Sequence, residues 1–170
     1  MKLRDIHHYD TYVPILSDLE IKRTWAQAVK LVIDALAPLG EEYCSTLEKG
    51  LTDDRWCDRY PNRGKQSGAF SSGSFDSPPY ILMNFTDRMN DVMTLAHELG
   101  HGMHFTLASE EQTALSAGTG IALAEVPSTF AELLAFDHLM AVEGDPATRQ
   151  ALVAERVEGS FATVFRQTVL

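Results

Sequence analysis

Val92-Met93-Thr94-Leu95-Ala96-His97-Glu98-Leu99-Gly100-His101-Gly102-Met103-His104 decides how this 170-residue chain is read. Val92, Leu95, Ala96, Leu99 and Met103 recur at helical spacing and form one apolar stripe. His97 and His101, four residues apart, fall on the other side of the wheel, one turn above each other. Their imidazoles can meet a single ion at about 2.0–2.1 Å each. Glu98 sits beside them, where it can hydrogen-bond a water at that ion. The expected helix buries one face and turns the other toward a cleft. The competing reading is a plain surface face with two solvated histidines.

A catalytic zinc site takes three protein ligands and leaves a position open. His104 shares the face, but lies about 10 Å along the axis from His97 at 1.5 Å per residue, too far to share one tetrahedral ion. A hydrogen-bonding role beside the site is expected for it. The better third ligand is on the following apolar segment, Ile121, Ala122, Leu123, Val126, Phe130, Leu133, Leu134 and Phe136. A helix apolar on all sides is expected to be buried. Glu125, Ser128 and Glu132 form a narrow polar stripe on it, and a buried carboxylate needs compensation. An ion would compensate Glu125, and Glu132 could accept a hydrogen bond from a ligand histidine. Pairing of these glutamates with Arg156 or Arg166 is the alternative.

Outward from this pair of helices, the pattern predicts a helix over 24–37 capped by Thr24, and a short one over 41–49 closed by Gly50. It predicts strands at Gly68-Ala69-Phe70-Ser71 and over 80–85. The active helix is expected from about Thr86 to Phe105, then a polar loop from Leu107 to Gly120. A long helix follows over 121–142, with a kink at Pro127. A last helix begins after Asp145-Pro146 and runs to the end without a C-cap, which suggests truncation. His7, His8 and His138 are expected at the surface. The whole is a mainly α fold with a small β element, organised as one domain over 1–170.

Formal charge is −10. Nucleic acid is not an expected partner, because phosphates need a basic surface. No apolar run approaches the roughly 20 residues that span a bilayer, so no membrane partner is expected. The first residues lack the pattern of a secretion signal, which makes the cytoplasm the default. Cys44 and Cys57 read as two free thiols.

The run Thr94 to His104, followed by Ala124-Glu125-Val126-Pro127-Ser128-Thr129-Phe130-Ala131-Glu132, resembles the oligoendopeptidase F branch of the thimet-oligopeptidase-like zinc peptidases. The pairing of HELGH with EVPSxxxE is specific to that family. His8 to Pro14, Ala37 to Tyr43, Ser67 to Ser74 and Thr163 to Thr168 also match its texture, so nearly the whole chain is covered. The resemblance implies a mostly helical, gluzincin-type fold: an HExxH helix packed against a Glu-bearing helix. It implies one zinc ion held by His97, His101 and Glu125, with Glu98 as catalytic base and short peptides cut inside the cell. Family members are several times longer, with a C-terminal loop bearing His and Tyr that assists substrate binding. The chain therefore corresponds to the central part of a catalytic domain, truncated at both ends.

The expected chemistry is zinc-assisted amide hydrolysis. The strand at Gly68, Ala69 and Phe70 could pair with substrate backbone, or be an ordinary hairpin strand. Two rivals stand beside this: a zinc-binding core with little activity by itself, and a helical interaction module in which HELGH is accidental. Missing flanks would leave apolar surface exposed, through which the chain could self-associate.

Overall fold

The computed structural model describes residues 21–166, with side chains through Val164. His7, the segment from His8 to Pro14, and the Arg166 side chain lie outside what is described. Contacts divide the chain into a unit over Ile21–Gly144 and another holding the helix after Asp145.

The first unit opens with α1 (Trp25–Leu36). The Thr24 hydroxyl accepts from the Gln27 N–H, and the Gln27 side chain accepts from the Thr24 N–H, a reciprocal cap. Ala28, Val32, Ala35 and Leu36 form its buried face. A 3-10 turn over Ala37–Leu39 and Gly40, at φ +106°, lead into α2 (Glu41–Thr52). The expected stop at Gly50 is corrected: the helix passes through it to Thr52. Gly50 answers a packing demand instead. A Cβ there would lie 2.4 Å from the buried Trp56 indole.

Three short strands form one sheet in the order β1-β3-β2 (Cys57–Asp58, Tyr80–Leu82 and Phe70–Ser72). β1 runs parallel to β3, and β2 antiparallel to it. Ile81, Met83 and Phe85 are buried, and Tyr80 is exposed. That alternation is the period of a half-buried strand. The two-residue β1 had no sequence signal, since it lies in a polar stretch. Cys57 is buried and Cys44 half-buried, both free thiols. Burial raises both thiol pKa values, that of Cys57 to about 12.

α3 (Met89–Glu111) begins later than expected. The Asp91 carboxylate accepts from the N–H groups of Thr86 and Arg88, so those residues cap the helix instead of joining it. It also ends later, because Leu107 to Glu111 contain no breaker and favour helix. Val92, Leu95, Ala96, Leu99 and Met103 are at most 2% exposed, and a fully buried Val, Leu or Met side chain stabilises a fold by about 1.5–3 kcal/mol. α4 (Ile121–Val142) continues unbroken through Pro127 and packs along α3, with α1 against both.

The expectation that α4 is buried all round is corrected. Its buried residues are Ser128, Ala131, Ala135 and Leu139, whereas Ile121, Leu123, Val126, Phe130 and Leu133 are exposed. His138 is half-buried.

In the second unit, the Asp145 carboxylate accepts from the Thr148 N–H and hydroxyl, and Pro146 opens α5 (Pro146–Phe161). A π turn over Ala162–Arg166 follows.

Gly50→Ala should lower stability by about 1–3 kcal/mol through overpacking against Trp56. Thermal or urea melting measures this, and an unchanged midpoint would refute the packing account.

Candidate metal centre

α3 and α4 come together almost backbone to backbone. A Cβ on Gly100 would lie 2.5 Å from the Pro127 carbonyl oxygen and 2.7 Å from the Ser128 Cα. Only glycine fits such an approach. His97 and His101 flank this point on α3. Glu125, Ser128 and Glu132 face it from α4, where spacings of three and four residues keep them on one side of the helix.

The nearest donor atoms form a small triangle. His97 Nε2 lies 3.1 Å from His101 Nε2 and 3.3 Å from Glu125 Oε2, and His101 Nε2 lies 3.6 Å from that same oxygen. At metal–ligand lengths of about 2.0–2.1 Å, the corners of a tetrahedron are roughly 3.3 Å apart. These three residues therefore fit one divalent ion, and two nitrogens with one carboxylate oxygen are a donor set that suits zinc. Among the described residues, His97, His101 and Glu125 are the group able to hold a metal.

The surrounding bonds orient these donors. Glu132 Oε1 lies 2.5 Å from His97 Nδ1. With the proton on Nδ1, His97 keeps a lone pair on Nε2, the atom in the triangle. The Ser128 hydroxyl donates to Glu125 Oε2 over 2.8 Å. Glu125 is more open than its helix pattern implied, with 43% of its side chain exposed, so it is not a deeply buried carboxylate. Glu98, by contrast, is only 5% exposed.

Charge shifts the two imidazoles in opposite directions. Burial pulls the His97 pKa down, but the hydrogen bond and charge of Glu132, with Glu98 and Glu125, outweigh it and leave it raised. Burial and the neighbouring His97 lower that of His101.

Not every expected residue joins the centre. The hydrogen-bonding role given to His104 is corrected: its Nδ1 is buried without a partner among the described residues, and its ring stacks on Phe105. Gly68 and Ala69 lead into β2, which Phe70 opens and whose described pairing is with β3 alone. Gly68 has φ +88°, and the Asn84 side chain donates to its carbonyl and to that of Gln66. Phe70 is 46% exposed. Sequence reasoning missed Ser71, whose hydroxyl lies 2.8 Å from both the Glu98 carbonyl oxygen and Glu98 Oε2. Nothing in a run of small residues flags it.

Gly100→Ala should force the helices apart at the triangle. The expected outcome is zinc affinity reduced at least tenfold together with a lower melting temperature; retained affinity in calorimetric titration would refute the close-approach account. Glu132→Gln should weaken zinc by about 10–100-fold. Protons and zinc compete for His97 Nε2, so affinity in the parent should fall as pH drops through the raised His97 range. Removing the Glu132 charge lowers that range, so the fall should begin at lower pH in the variant. Identical pH profiles would refute the pairing.

The sequence profile of peptidase family M3 matches residues 2–170. Oligopeptidase PepF of Bacillus subtilis (strain 168) is 40% identical over 169 residues, covering 99% of this chain and 25% of that protein. An oligoendopeptidase F homolog of Borreliella burgdorferi is 36% identical over 165 residues, 96% of this chain and 28% of that one. A crystal structure of a candidate peptidase from Chlamydophila abortus superimposes with a TM-score of 0.84 at 41% identity, over 97% of this chain and 27% of that one. The chain thus spans about a quarter of the length of these curated relatives. A profile match over residues 2–170, beside a solved relative that superimposes over 97% of the chain, means that this chain belongs to peptidase family M3.

Proposed function

We propose that this chain carries the catalytic core of a zinc-dependent endopeptidase acting on short peptides in the cytoplasm. His97, His101 and Glu125 are the proposed zinc ligands, and Glu98 the general base. The observation that carries this reading is the donor triangle with edges of 3.1, 3.3 and 3.6 Å. Membership of family M3 supports the reaction class, and the names of the relatives support oligopeptides as substrates.

Zinc held there would supply a Lewis acid that acidifies a water and polarises the scissile carbonyl. Glu98 takes the proton from the attacking water and hands it to the leaving amine. Glu132 keeps the His97 proton on Nδ1, and Ser128 steadies the Glu125 carboxylate. Gly68 and Ala69, with Phe70 at the start of β2, lie along an edge that is unpaired among the described residues, where a substrate backbone would add as a further strand. The exposed Phe70 ring beside that edge offers an apolar contact to a substrate side chain.

A second reading is a zinc-binding core with little turnover of its own. The share of the relatives' length that this chain spans favours it.

Metal content and hydrolysis of a fluorogenic peptide, measured on one sample, separate the two. Stoichiometric zinc with cleavage supports the first reading, zinc without cleavage the second, and no zinc uptake sinks both. Glu98→Gln should keep zinc and slow cleavage by about a hundredfold to ten-thousandfold.

A further inference from the structure

We propose that Ser71 is the positioning residue for Glu98, fixing one carboxylate oxygen so that the other is left for the attacking water. This rests on the reading of Glu98 as the base. The placement begins with strand register. Ser71 is paired with Ile81 across the antiparallel β2–β3 ladder, and directly opposed residues project to the same face. Ile81 is 1% exposed and lies against α3, where a Cβ on Gly102 would be 3.5 Å from its Cδ1. Ser71 therefore faces α3 as well, while Phe70 and Ser72 face away. A slip of one residue would turn Ser71 out to solvent.

At that position one hydroxyl meets two acceptors of the same residue, the Glu98 carbonyl oxygen and Oε2, each at 2.8 Å. Tying a side chain to its own main chain through a second residue restricts the carboxylate torsions. Glu98 is 5% exposed, so Ser71 also partners an oxygen that burial would otherwise leave without compensation. Ser71 keeps its proton throughout; it orients the base and transfers nothing. The same contact joins β2, the edge proposed to carry the substrate, to the base on α3. Substrate register and proton acceptor are thereby held in one frame.

The test uses the zinc-loaded protein with Ser71→Ala, Ser71→Thr, Glu98→Gln and the Ser71→Ala/Glu98→Gln double variant. Expected for Ser71→Ala are full zinc content, a melting temperature within a few degrees of the parent, KM within about twofold and kcat lowered at least tenfold. Ser71→Thr, which keeps the hydroxyl, should recover most of kcat. The double variant should be no slower than Glu98→Gln. A readout without turnover is binding of a phosphinic peptide, whose tetrahedral phosphorus mimics the transition state. Its affinity should fall with kcat in Ser71→Ala, while that of a cleavage-product peptide stays unchanged. Unchanged kcat and phosphinic-peptide affinity in Ser71→Ala overturn the inference alone, provided Glu98→Gln is inactive. Equal losses in Ser71→Thr, or loss of zinc in Ser71→Ala, also overturn it, because the role is then structural. Normal cleavage by Glu98→Gln overturns the base assignment and this inference with it.

Discussion

The contact between Gly100 and the Pro127–Ser128 backbone sets where every donor atom can lie. Three ligands to one ion must converge within a few ångströms, and the candidate ligands here come from two helices. With a side chain larger than hydrogen at Gly100, the helices would stand further apart and the Glu125 carboxylate would withdraw from both imidazoles. The rest of the first unit holds that approach in place. Val92, Leu95, Leu99 and Met103 anchor α3 on one side, and Ser128, Ala131 and Ala135 provide a low surface on α4. Rigid packed elements hold ligands more accurately than loops do.

Glu98, Glu125 and Glu132 converge on two imidazoles, which concentrates negative charge in a partly desolvated place. Such a cluster favours whatever brings positive charge. A proton on His97 is one answer, and the raised pKa of that residue is its signature. A divalent ion is a larger answer, and it needs the same nitrogen lone pair. Proton and metal thus compete for one electrostatic deficit. The Glu132 hydrogen bond favours the metal-ready tautomer by holding the His97 proton on Nδ1, away from the triangle.

The α3 stripe was legible because Val92, Leu95, Ala96, Leu99 and Met103 obey helical spacing, and a helix period survives into any tertiary context. The polar stripe at Glu125, Ser128 and Glu132 was legible for the same reason. The N-cap of α1 was legible from Thr24, and the structure adds the reciprocal bond from Gln27. What stayed hidden depends on contacts that exist only in the folded chain. Gly50 resembles a helix stop, and only the Trp56 ring beside it explains a glycine within the helix. The late start of α3 depends on the Asp91 carboxylate turning back over Thr86 and Arg88. Ser71 becomes meaningful only once β2 is in register with β3, and only the folded chain shows that His104 Nδ1 is buried without a partner among the described residues.

The small residue on α4 opposite Gly100 follows from the same constraint that builds the centre. A hydrophobic sequence on every side predicts burial on every side, yet bulky residues cannot occupy a face on which another backbone lies in contact. Beside Gly100 the inner face of α4 accordingly carries the small Ser128; Ala131, Ala135 and the larger Leu139 are buried further along, and Ile121, Leu123, Val126, Phe130 and Leu133 are exposed. Close approach is what brings Glu125 within 3.3 Å of His97 Nε2. Replacing the small inner residues by larger apolar ones would bury more surface, but it would separate the two helices whose spacing defines the centre.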